Sequence, residues 1–348
     1  MLREHAHRVD PQHKDLPHPA WVPYAVDKAL QAQSRQRRFR RFLGNERVEA
    51  HRAYAPIITE ALRSLLLPKL FLALDTTRLW AGHTRISLIL NGRTIPLAWK
   101  TLPHRSSMIS YADYRELLNA VQQTLPEGAR VVLLADRGFD SVDLMEHCDR
   151  PGLEIPHPPQ GLPQCLSAAF EMPSARACSP NAGERPSSST TSTSPAARPG
   201  HTIWLWPNPR EFRETWMIAS NEPTSAETFK EYGERFGIEE NFLDDKSNGF
   251  GWEESRLLDP EALDRLVLVL ATATLYLSLQ DARVEAEGRR TEADPHWFRG
   301  LSYFKIGWSW IKRALEHGEK ILQAWVFPKH FRPAPAQASR KQHQALLR

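Results

Sequence analysis

Hydrophobic and polar positions change period several times along this chain, and each change predicts an element. The first 65 residues are polar and read as helical. Leu70 to Leu74 is an unbroken apolar run, the pattern of a strand buried on both faces. Arg85 to Leu90 and Arg93 to Ala98 are two further strand-like runs joined by Asn91-Gly92, a two-residue hairpin signal. Tyr111 to Gln123 has helical spacing, Val131 to Ala135 is a second buried strand, and Ser141 to His147 a short helix. Trp216 to Ala219 predicts a strand, and Ser225 to Phe236 opens a helical region. Asp259-Pro260 opens a long helix reaching about Arg283, because proline suits the first helical position. A last helix covers roughly Leu301 to Glu316. The order β-β-β-α-β-α, then β-α-α, predicts an α/β fold in which a mixed sheet is flanked by helices.

One stretch breaks the pattern. Pro151 to Pro209 holds 12 of the 27 prolines and no lysine, and Ser187 to Ser194 is an unbroken Ser/Thr run. It has little hydrophobic periodicity before Ile203-Trp204-Leu205. Such composition buries too little apolar surface to fold well. A flexible linker is one explanation. A stretch translated in the wrong frame between two compensating frameshifts is the other, and it is favoured because long structureless segments inside compact domains are unusual. The chain then divides into a basic helical N-terminal region (1–65), two parts of one α/β domain (66–150 and 210–320) separated by the aberrant insertion (151–209), and a basic tail (329–348).

Composition narrows the class. With 41% hydrophobic and 25% charged residues the chain is globular. A net charge of +4 suits a polyanionic partner without requiring one. Cys148, Cys165 and Cys178 match no zinc spacing and, being three, no disulfide framework. They predict reduced thiols in the cytoplasm. No signal peptide is predicted at the N-terminus, and Leu266 to Leu279 is too short to cross a bilayer, so no membrane association is expected. The run Ser34 to Leu43 interleaves arginines with Phe39 and Phe42, and reads equally as a phosphate-contacting surface or a solvated helix face. The aromatic group Trp297, Phe298, Tyr303, Phe304, Trp308 and Trp310 has the spacing of core packing.

The candidate chemistry lies in three acids. Asp75 and Asp136 each follow an apolar strand, and in open α/β sheets ligand sites lie at the carboxyl ends of strands. The third acid is to be chosen among Glu239, Glu240, Asp244 and Asp245. On a helix Tyr232, Arg235 and Lys246 stand at −7, −4 and +7 from Glu239 and share its face, which favours Glu239. Taken alone, that stripe is an exposed helix with an Arg235–Glu239 ion pair. Taken with two strand-end aspartates, it is a set of oxygen ligands able to hold two hard cations and break a phosphodiester bond.

These residues resemble a known family. Leu74-Asp75-Thr76-Thr77, Ala135-Asp136-Arg137-Gly138-Phe139-Asp140 and the signature Tyr232, Arg235, Glu239 and Lys246 are similar to the DDE transposases of bacterial insertion sequences, in particular the insertion sequence four family. The resemblance implies a ribonuclease-H-like fold with an insertion between the second catalytic Asp and the Glu. It implies a catalytic, metal-binding triad of Asp75, Asp136 and Glu239 holding two Mg²⁺ or Mn²⁺ ions. It implies that Tyr232, Arg235 and Lys246 grip phosphates of the element's terminal repeats. It further implies cut-and-paste transposition by a homodimer on paired DNA ends, acting on the nucleoid. Two rival readings remain: an inactive remnant that binds DNA without transposing, and a ribonuclease-H-like nuclease with no strand-transfer step.

Overall fold

The computed structural model describes residues 32–67, 69–78, 81–90, 92–102, 109–126, 129–139, 141–149, 166–171, 202–206, 216–220, 226–255 and 257–329. Residues 1–31, His104, Arg105, the Ser187–Ser194 run, Cys165, Cys178 and the tail beyond Lys329 lie outside the described residues.

Two helices, α1 (Ala32–Leu43) and α2 (Ala50–Leu62), precede the meander β1 (Leu70–Arg78), β2 (Gly82–Leu90) and β3 (Arg93–Leu102). Gly92 sits at φ 78°, the left-handed setting a tight hairpin turn requires. Then come α3 (Tyr111–Gln122), β4 (Val131–Ala135), α4 (Val142–Asp149), β5 (Leu166–Glu171), β6 (Thr202–Trp206) and β7 (Trp216–Ser220). The remainder is helical: α5 (Ala226–Gly233), α6 (Gly237–Leu243), α7 (Pro260–Ala286), α8 (Arg290–Ala293) and α9 (Tyr303–His317). The seven strands form one mixed sheet in the order β3-β2-β1-β4-β5-β7-β6. β1 is antiparallel to β2 but parallel to β4, and β4 is parallel to β5.

The mixed sheet with helices on it agrees with the sequence reading and is compatible with a ribonuclease-H-like fold. Within residues 151–209 the reading of a structureless segment fails at two strands, β5 and β6, the second covering the apolar Ile203-Trp204-Leu205. Leu166–Glu171, predicted to be without structure, is a strand, and it extends the sheet from β4. Its six residues alternate too weakly to be read locally; pairing with β4 supplies the backbone partners that periodicity could not announce.

Side-chain alternation explains how the sheet is covered. Leu72, Leu74 and Leu133 face the larger core, shared with Tyr54 and Ile58 of α2, Leu117 of α3 and Leu266 of α7. Ala73, Val132 and Leu134 face the other way and pack with Tyr232 of α5 and with Ile238 and Phe242 of α6. Helices thus lie on both faces. α7 begins as predicted: Asp259 caps it by accepting from the Ala262 amide at 3.0 Å, with Pro260 next. It is long and apolar enough to cross a membrane, but 67% of its apolar window is buried in the fold, so it acts as a core helix. Arg265 on α7 donates to the carbonyls of Leu43 (2.8 Å) and Val48 (3.3 Å), which ties down the N-terminal helices. Of the aromatic group, Tyr303, Phe304 and Trp310 are buried as expected, whereas Trp297 and Trp308 are exposed. Cys148 is a buried thiol.

α7 also carries a pH-sensitive joint. The Asp264 carboxylate accepts from the Thr101 amide (3.0 Å) and hydroxyl (2.6 Å) of β3. Burial pushes its pKa up from 3.8 to about 6, against the lowering effect of those bonds. An acid held above its unfolded pKa takes up a proton more readily when folded. Stability is therefore greatest below the unfolded value and falls as pH rises towards 6. Asp264→Asn, which keeps an acceptor for Thr101, is expected to remove a fall of about 2 kcal/mol between pH 4 and 6. Denaturant unfolding of both proteins across that range checks this; parallel profiles would exclude it.

Candidate active site

The parallel register of β1 and β4 aligns Leu74 with Ala135, so Asp75 and Asp136 stand side by side. Asp136 follows the end of β4 as expected, but Asp75 lies within β1, which continues to Arg78 because its last residues pair with β2. Alternation puts Asp75 on the face of Ala73, and Asp136 on the face of Val132 and Leu134. That is the face covered by α5 and α6. Each aspartate is held by its own backbone. Asp75 Oδ1 accepts from the Thr76 amide at 2.7 Å, and Asp136 Oδ1 from the Gly138 amide at 2.9 Å.

Arg235 connects the third acid. It lies in the one-turn 3-10 segment Glu234–Phe236 between α5 and α6 and is buried. Its Nη1 donates to Asp75 Oδ2 at 3.4 Å and its Nη2 to Glu239 Oε1 at 3.1 Å. The i,i+4 pair expected of an exposed helix is present, and it also reaches across to the sheet. Glu239 keeps 53% of its side chain exposed, while Asp75 keeps 14%. Burial raises the Asp75 pKa to about 6; Arg235 and the Thr76 amide lower it, and the nearby charges of Asp136 and Glu239 raise it. Asp136 and Glu239 thus lie close enough to Asp75 to act on its charge. Burial alone would depress the Arg235 guanidinium, but Tyr232, Asp75, Glu239 and Asp136 together raise it, and it stays a cation.

The other three candidate acids are engaged elsewhere. Glu240 and Asp244 pair with Arg93 at 2.7 and 3.8 Å, and Asp245 is buried against Arg85 at 2.6 Å. A surface groove of about 370 Å³ is lined by Gly233, Phe236, Glu239 and Glu240 but by neither aspartate, so it meets the cluster only at Glu239.

Two expectations need correction. The stripe from Tyr232 to Lys246 is not one α-helix: the 3-10 turn at Glu234–Phe236 and a π turn at Asp244–Asn248 interrupt it. Tyr232 does not present its ring to an incoming phosphate. It is 1% exposed, and its hydroxyl donates to the Ala135 carbonyl at 3.1 Å. Its apolar ring is packed into the sheet, and the hydroxyl locks α5 onto β4 one residue before Asp136. Tyr232→Phe is expected to cost about 1 kcal/mol of stability and to leave the salt dependence of DNA binding unchanged. A shallower salt dependence would restore Tyr232 to the DNA contact. Lys246 donates to the Arg78 carbonyl at 3.2 Å, which places it at the end of β1, three residues beyond Asp75.

The donor chemistry of Asp75, Asp136 and Glu239 fits a hard divalent cation, since all the ligands are carboxylate oxygens. Among the described residues, no three His, Cys, Asp or Glu side chains converge tightly enough to form a ready cage. Arg235 bridges two of the acids, and Glu239 is the member with room to turn. Sequence reasoning missed Arg85, whose only signal was a charged residue inside the buried strand β2.

In comparison with known proteins, no family model and no curated sequence matches the chain. Among solved structures it is similar to the piggyBac transposase in a synaptic complex with hairpin DNA, at 10% identity and a TM-score of 0.40. The match covers 81% of this chain and 58% of that one.

Proposed function

We propose that the chain is a metal-dependent DNA transposase of the insertion sequence four type, cleaving the ends of its element and joining them to target DNA. The observation that carries this reading is the juxtaposition of Asp75 and Asp136 on adjacent parallel strands, with Glu239 tied to Asp75 through Arg235. Asp75, Asp136 and Glu239 would hold Mg²⁺ or Mn²⁺, Glu239 exchanging its Arg235 contact for the cation. Bound there, two ions would activate the attacking oxygen and stabilise the leaving one.

The chain's own residues supply the rest. Asp75 must be ionised, and Arg235 favours that state. Arg235, with Nη1 kept on Asp75, would turn Nη2 to a phosphate once Glu239 leaves it, and Lys246 offers a point charge beside the end of β1. Both position the DNA backbone and read no bases. Tyr232 holds the helix that carries Arg235 against β4. A homodimer on paired DNA ends, at work in the cytoplasm on the nucleoid, completes the proposal.

The test is incubation of the purified protein with terminal DNA of the flanking element, with Mg²⁺, with Mn²⁺ and with chelator. Metal-dependent nicking at the element boundary is the expected result. Soluble, folded protein that binds this DNA without cutting it would replace the proposal with an inactive remnant. Nicking with no joining to target would leave a nuclease.

A further inference from the structure

Lys246 is set on a π turn, a wider and rarer coil than the α-helix that is frequent at functional sites. The neighbouring Asp245 is completely buried, and its Oδ2 meets Arg85 Nη1 at 2.6 Å. The same nitrogen donates to Asn241 Oδ1 at 2.8 Å, and the guanidinium lies 4.8 Å from the centre of the Phe242 ring. Arg85 stands opposite Asp75 in the β1–β2 ladder, yet its charge goes to the π turn. Within the described residues, Arg85 Nε and Nη2 and Asp245 Oδ1 find no hydrogen-bond partner.

A buried ion pair with unsatisfied atoms is poor stabilisation, and apolar residues of similar volume often do as well or better. An apolar pair cannot, however, fix the rotation of the turn. We infer that the Arg85–Asp245 pair is a positioning device, which sets the π turn so that Lys246 reaches the DNA backbone beside Asp75. This rests on the proposed transposase reading.

The test uses the full chain, a short linear DNA duplex and the variants Lys246→Ala, Arg85→Met/Asp245→Leu and the triple combination. Lys246→Ala should reduce the slope of log affinity against log salt by about one unit, the loss of one phosphate contact. The double variant should unfold at close to the wild-type temperature yet lose the same unit of slope, and the triple variant should lose no more. A folded double variant with the wild-type slope, from which Lys246→Ala still removes a unit, overturns the inference. So does an unchanged slope in Lys246→Ala alone. Should the double variant not fold, Arg85→Gln/Asp245→Asn serves the same comparison, because it removes both charges, and with them the ion pair, while keeping polar side chains. Metal-dependent nicking, followed in parallel on the wild type, stands or falls independently and tests the underlying reading.

Discussion

Asp136→Ala is expected to abolish Mg²⁺-dependent nicking while leaving DNA binding nearly intact. The carboxylate follows β4 directly and lies close enough to Asp75 to raise its pKa. In the proposed mechanism it is a metal ligand, and a bound metal contributes several kcal/mol to the transition state. Its removal should cost on the order of a thousandfold in rate or more. The fold should survive, because the turn loses a single hydrogen bond, from the Gly138 amide, at about 1 kcal/mol. DNA binding depends on the cations, which are untouched. Nicking and binding measured side by side on terminal DNA decide the matter; retained nicking removes Asp136 from the active site.

Gly307→Ala is expected to have the largest effect on stability. Gly307 lies on α9 where it crosses α7. A Cβ there would stand 2.0 Å from the Leu277 carbonyl oxygen and 2.8 Å from its carbon. Both are backbone atoms within a helix, so neither can step aside; the helices must separate. Separation would open the cluster of Val284, Ile306 and Trp310 that α7 and α9 share. A loss of about 3 kcal/mol or more follows. Gly233 is the control: it has helical angles (φ −57°, ψ −26°) and no atom within 4 Å of an added Cβ. Gly233→Ala should be neutral or stabilising by up to about 1 kcal/mol. Denaturant unfolding of the two variants gives the comparison, and a Gly307→Ala protein as stable as wild type would refute the close crossing.

Much of the fold was legible locally. The apolar runs of β1 and β4, the Asn91-Gly92 hairpin and the Asp259-Pro260 helix start were read correctly, because strand period, turn chemistry and capping are local properties. β5 was not, because its residues have no clear alternation and its order comes from pairing with β4. The candidate site was half legible. The two aspartates could be named from sequence, but their adjacency depends on the parallel register of strands some sixty residues apart. Helical spacing favoured Glu239 over its three neighbours, on the premise of one continuous helix that the fold does not keep. Arg235 ties Glu239 to Asp75, while Arg93 and Arg85 take the other acids.

The sequence by itself determined where the elements lie and which acids, cations and aromatic residues they carry. Only the tertiary structure decided which of them meet: that Tyr232 is buried against Ala135, 97 residues away, and that Asp245 pairs with Arg85 across 160. It also decided that the helix carrying Lys246 is broken by a π turn. The reason is physical. Periodicity, caps and turns depend on interactions within a few residues, whereas strand register, burial of a hydroxyl and the partner of a buried charge are settled only when distant segments pack.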